Sequence, residues 1–159
     1  MEINLMKNYP RTKRDTSERA SLKTEEDRLI ARKFDFEFFD GDRKNGYGGF
    51  NYNPRFWQPV VPDFVDHYDL KKDNYVLDIG CAKGFMLYDM MNIVSGIKVR
   101  GVDISKYAID NCMDQVKDYL SVGNAMDLPF EDNEFNLVIS ITTIHNLLYD
   151  ECILALKEI

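Results

Sequence analysis

Residues 75–85, Tyr-Val-Leu-Asp-Ile-Gly-Cys-Ala-Lys-Gly-Phe, constrain the fold more than any other stretch of the chain. A short, mostly apolar run closed by a glycine reads as a buried strand. A second glycine follows, and then Phe85, Met86, Tyr88, Met90, Ile93 and Val94 recur at helical spacing. The alternation continues. Residues 98–104 form a second strand, and Ser105 can cap a helix running to about residue 119. Residues 120–123 are a third, short strand, and 135–141 a fourth that is mostly apolar. Strands that are apolar on both faces, separated by helices, imply a parallel sheet covered by helices on both faces. Ligands of such sheets bind beyond the carboxyl ends of the strands.

Upstream the pattern is less regular. Residues 1–16 are polar and read as loose, and residues 17–33 as a helix carrying the acidic trio Glu25, Glu26 and Asp27. From Phe34 to Tyr52 the chain is rich in Phe, Tyr and Gly, which predicts a long loop, and long loops in small domains are often functional. Residues 60–68 fit a short helix with Pro62 tolerated in its first turn. The division expected is an N-terminal extension with a lid over 1–59 and a ligand-binding domain over 60–159. A chain of 159 residues is one domain by length.

Charge and cysteines narrow the function classes. The net charge of −7 argues against a surface built for nucleic-acid phosphates. Up to Asp35 there are nine Lys/Arg against seven Asp/Glu, and this basic start reads as a solvated terminus. Cys81, Cys112 and Cys152 are far apart with no CxxC pair, so neither a metal site nor a disulfide framework is expected. Reduced thiols fit a cytoplasmic protein. No run approaches the roughly 18 apolar residues of a membrane span, so no membrane partner is expected.

The chemistry gathers at the strand ends. Gly80 removes a side chain where the backbone must pass close to a ligand, and Gly84 permits a tight start to the next helix. Asp103 ends the second strand about twenty residues later, where a carboxylate can accept from ribose hydroxyls, and Ile104 can lie against an adenine. To this point an NAD-dependent oxidoreductase would read similarly. Three details favour S-adenosylmethionine: the acid Asp78 two positions before Gly80, the Gly-x-Ala-x-Gly turn, and Leu128-Pro129-Phe130 in place of a full crossover helix.

The segments VLDIGCAKGF, RGVDIS and GNAMDLPFEDNEFNLVIS, in this order, resemble the signature motifs of class I (Rossmann-like) S-adenosylmethionine-dependent methyltransferases. The loop GYGGFNYNPRFW is similar to a segment preceding the core in some bacterial small-molecule methyltransferases. The resemblance implies an α/β, Rossmann-like sheet, with Asp78, Gly80, Cys81 and Gly84 at the methionine end of the cofactor. It places Asp103 and Ile104 at the ribose and adenine, and Asn124, Ala125 and Met126 at the adenine edge. The family often carries aspartate at the position of Asn124. It also implies seven strands where four are visible, so the sheet is expected to be incomplete. Residues 135–141 would then be an exposed edge inviting a homo-oligomer.

Other residues carry two readings each. Tyr47 and Tyr52, with Arg55 and Trp57, could form a lid over a small-molecule substrate or a static aromatic cluster. His145 follows the fourth strand and is a candidate general base, against a structural histidine. Lys83 reads as a solvated turn residue. The leading function is S-adenosylmethionine-dependent methyl transfer to a small molecule. The alternatives are a catalytically silent cofactor-binding module completed by a partner, and the oxidoreductase.

Overall fold

The computed structural model describes residues 2–11 and 23–159. Four strands form one sheet in the order β3-β2-β1-β4, every neighbouring pair parallel: β1 is Tyr75–Ile79, β2 Lys98–Asp103, β3 Leu120–Val122 and β4 Leu137–Ile139. The chain moves outward from β1 to β3 and then returns to lay β4 on the free side of β1. The order therefore reverses between β1 and β4, and this is the switch point at which such sheets hold ligands.

Before the sheet come helices α1 (Glu25–Ala31), α2 (Phe36–Phe39), α3 (Pro54–Trp57) and α4 (Val61–Tyr68). Helix α5 (Phe85–Ile93) joins β1 to β2, α6 (Lys106–Asp110) follows β2, and α7 (Tyr149–Glu158) follows β4. Side chains of β1 divide between the faces. Val76 enters a core with Val61 and Phe64 of α4 and with Met86, Leu87 and Met90 of α5. Leu77 and Ile79 point the other way and, with Val102, are covered by Leu128, Phe130 and Phe135 of the β3–β4 connection. Burying each such side chain contributes roughly 1.5–3 kcal/mol. Glu158 of α7 accepts the Leu128 N–H at 2.8 Å, which ties the last helix to that connection. No helix among the described residues is long and apolar enough to cross a membrane.

The sheet, α5 and the short β3–β4 connection lie where the sequence places them, and four local expectations change. Ser105 caps its helix by accepting the Ala108 N–H at 3.0 Å, but the helix stops at Asp110. The Asn111 amide donates back to the Tyr107 carbonyl and Met113 N–H to the Lys83 carbonyl, and a 3-10 turn, Asp114–Tyr119, completes the crossing. Only three residues of 135–141 pair with β1, because Asn136 exchanges two hydrogen bonds with Tyr75 just before them. The part of the expected 17–33 helix that is described is α1, started by a Thr24–Asp27 capping box; residues 17–22 lie outside the described residues. Residues 2–11 are docked rather than loose. Tyr9 packs on Phe56 and Trp57, and Asn8 and Lys7 both hold Asp63, while residues 12–16 lie outside the described residues.

Candidate active site

The turn after β1 is built from three left-handed residues, Gly80 (φ 80°), Ala82 (φ 50°) and Gly84 (φ 78°). Glycine adopts this region at no steric cost, and Ala82 is held there against its preference. What holds it is β2. Gly80 N–H and Cys81 N–H donate to the Val102 carbonyl at 2.7 and 3.2 Å, and Ala82 N–H donates to Asp103 Oδ2 at 2.7 Å. The other oxygen of Asp103 accepts the Ser105 N–H at 2.8 Å. The turn after one strand and the acid ending the next are thus a single hydrogen-bonded unit.

A cavity of about 350 Å³ opens over this unit at the carboxyl ends of the strands. Gly80, Ala82, Asp103 and Ile104 border it from β1 and β2, and Asn124, Ala125 and Met126 from the segment after β3. Thr142, Thr143, Asn146 and Leu147 border it from the segment after β4. A smaller cavity of about 70 Å³ shares Tyr47, Gly80, Ala82 and Thr142 with it and is bordered by Asp78, Cys81 and Phe85. Most sequence-predicted cofactor residues therefore meet around one space.

Their environments differ. The Asp78 carboxylate is buried and has no hydrogen-bond partner among the described residues; burial, reinforced by nearby Asp103, pushes its pKa up to about 7. Burial also raises the Asp103 pKa, against the hydrogen bonds from Ser105 and Ala82 that lower it. Ile104 is 58% exposed, an apolar surface open toward the cavity. Asn124 Oδ1 accepts the Met126 N–H at 3.0 Å, so its oxygen already shapes the local turn.

Three expected site residues, and Lys83, expected in solvent, sit differently. Gly84 borders neither cavity: a side chain there would run into Val116 and Leu120, so its role is to let α5 pack closely. Tyr52 is also outside both, donating its hydroxyl to Asp89 of α5 at 2.7 Å, while Tyr47 borders both. His145 is exposed and borders neither, although Thr143 and Asn146 beside it border the larger cavity. Lys83 is buried, not solvated: its Nζ pairs with Asp40 Oδ2 at 2.6 Å.

Asp40 is the residue that sequence reasoning missed. It also accepts from the Tyr107 hydroxyl at 2.7 Å and the Phe50 N–H at 2.8 Å. One carboxylate of the aromatic segment thereby grips the glycine turn, α6 and its own loop. Burial would raise its pKa, but these hydrogen bonds, led by Lys83, outweigh it and hold the group below its ordinary value. Around it, Phe39 packs on Tyr47, Phe50 and Tyr107 with ring centroids 5.5–6.3 Å apart. Residues 34–50 lie over the cavity as a packed cover.

The profile of a family described as a methyltransferase domain matches residues 77–159, more than half of the chain. The chain belongs to this methyltransferase-domain family. Demethylmenaquinone methyltransferase of Symbiobacterium thermophilum is 35% identical to it over 88 residues, 50% of the chain and 35% of that protein. The crystal structure of MccD protein superposes with a TM-score of 0.57 at 26% identity, covering 68% of the chain and 49% of MccD. A putative S-adenosyl-L-methionine-dependent methyltransferase from Methanococcus maripaludis superposes at 0.55 with 17% identity, covering 64% and 48%, a likeness of fold alone. The chain thus spans about a third of the curated relative and about half of these solved structures. The methyltransferase-domain match begins inside β1, so the covering segment and α4 lie outside it.

Proposed function

We propose that this chain binds S-adenosylmethionine in the paired cavities and directs its methyl group to a small-molecule acceptor. The observation that carries the reading is the convergence of the glycine turn, Asp103 and residues 124–126 on one cavity at the β1/β4 switch point. Two features support the fit of the cofactor. The unpartnered, buried Asp78 carboxylate borders the smaller cavity, where an ammonium group would satisfy it. Tyr47, Gly80, Ala82 and Thr142 border both spaces, which lets one extended ligand span them; the room beside the Gly80 α-carbon is itself taken by the Thr143 side chain.

When bound, the cofactor supplies an electrophilic methyl group on a positively charged sulfur. The chain's own contribution is placement and exclusion of water. The two backbone N–H groups on Asp103 fix the carboxylate while leaving lone pairs for ribose hydroxyls. Ile104 and Met126 offer apolar surface to a purine, and the cover over residues 34–50 limits solvent. An acceptor would lie between that cover and the segment after β4. Because the leaving group is charged beforehand, a general base is needed only for a protonated nucleophile, and the position of His145 is compatible with transfer by alignment.

Isothermal titration with S-adenosylhomocysteine and, separately, NADH tests the reading. Binding of the first and not the second is expected; the reverse would move the chain to the oxidoreductases. Transfer of tritium from labelled cofactor to small molecules of a cell extract distinguishes an active enzyme from a silent binding module.

A further inference from the structure

The larger cavity has a part that the cofactor reading does not use. Its outer wall comes from the N-terminal segment and is aromatic: Phe38 meets Phe34 at 5.1 Å and Tyr47 at 5.3 Å, both edge to face. Beside these rings, Arg32 and Lys33 border the same cavity from the end of α1. Lys7, Lys44, Lys71, Lys83 and Lys106 each pair with a carboxylate, but Arg32 and Lys33 have no ion pair among the described residues. Among the described residues Asp103 is the only acid on the cavity wall, and the reading above gives its remaining lone pairs to the ribose hydroxyls.

Cations at a helix C-terminus are favoured by the helix dipole, which accounts for their place in the sequence. It does not account for both exposed residues bordering a cavity next to three aromatic rings in a protein of net charge −7. A cleft with unpaired charge of one sign concentrates ligands of the other.

Resting on the function proposed above, we infer that the acceptor is a flat, apolar molecule bearing one anionic group, a carboxylate, phosphate or sulfonate. The rings take its apolar body, and Arg32 and Lys33 take its anion. Arginine is suited to this by its planar fork of donors.

Two fluorescent probes sharing one ring system test this: 8-anilinonaphthalene-1-sulfonate and the neutral N-phenyl-1-naphthylamine. Each is titrated into the chain with and without saturating S-adenosylhomocysteine, and into the R32Q/K33Q double variant. The sulfonate should bind at least about tenfold more tightly than the neutral probe, as expected for charge-assisted hydrogen bonds. The double variant should erase that margin, leave the neutral probe unchanged and bind S-adenosylhomocysteine as before. Equal affinity of the two probes, or a sulfonate margin surviving in R32Q/K33Q, overturns the inference. So does a parallel loss of S-adenosylhomocysteine binding, which would assign the cations to the cofactor. Failure of the unaltered chain to bind S-adenosylhomocysteine would instead sink the cofactor reading, and the titrations without it would still report on the anion site.

Discussion

Two aspartates 25 positions apart, Asp78 and Asp103, stand in one site under opposite constraints. Asp103 is fastened by two backbone donors, whereas Asp78 is buried with none. An acid whose pKa rises from 3.8 to about 7 on folding stabilises the ligand-free chain fully below about pH 4. That contribution is lost as pH rises through about 7, because the folded state must then hold a buried charge. Binding of a ligand ammonium has the opposite sign, since it needs the ionised form. Affinity for S-adenosylhomocysteine should therefore climb between pH 6 and 8 and level off above, and Asp78→Asn should flatten the profile; calorimetry across this range is the check. Asp103→Ala should weaken the same binding by about ten- to hundredfold, on the order of 1.5–3 kcal/mol in all for the lost hydrogen bonds to the ribose hydroxyls. It should also lower the melting temperature, because Ala82 and Ser105 lose their acceptor. The places of both aspartates beside the cavities were legible in the sequence, because each lies at the carboxyl end of a strand. Lys83 and Asp40 were not: the partners of Asp40 lie 10, 43 and 67 residues away, and no local pattern encodes such a meeting.

Among the elements, periodicity sufficed where burial decides conformation. β1 and α5 are mostly apolar runs next to Gly80 and Gly84, β2 and β3 bury Val99, Val102 and Leu120, and tertiary packing agrees with them. The reading failed where hydrogen bonds at single residues decide, as at Asn111, which ends α6 nine residues before the expected stop. The 34–50 segment is the instructive case. Its composition gave a loop, and the structure gives a loop whose short helix α2 leads directly into the Asp40 anchor. If that anchor positions the cover, Asp40→Asn should speed amide exchange across residues 34–50 and weaken S-adenosylhomocysteine binding. The unpartnered buried Lys83 would add instability, since breaking one member of a buried pair is costly. Lys83→Met in the same background should return stability without returning affinity. Hydrogen-exchange mass spectrometry and melting curves on the single and double variants separate these effects. Unchanged exchange in Asp40→Asn would mean that the aromatic cluster alone seats the cover.

At the scale of the whole molecule, the free side of β4 governs association. β4 is an outer strand of the sheet, and its far edge pairs with no strand among the described residues. Beyond it, α7 turns Tyr149, Ile153 and Leu156 outward at helical spacing; they are 79%, 38% and 54% exposed, and Leu148 before them is 72% exposed. An open strand edge and a row of exposed apolar side chains each favour association. We propose that the 159-residue chain self-associates through this side, and multi-angle light scattering should show a mass that rises with protein concentration. Ile153→Lys combined with Leu156→Lys places two charges on the exposed row without touching the buried Ala155. The double variant should shift the distribution toward single chains. Cofactor binding should be unaffected, because neither residue borders either cavity. A chain that stays monomeric at high concentration, with S-adenosylhomocysteine bound, would show that the β4 edge and the α7 row are tolerated in solution and that the site is complete within one copy.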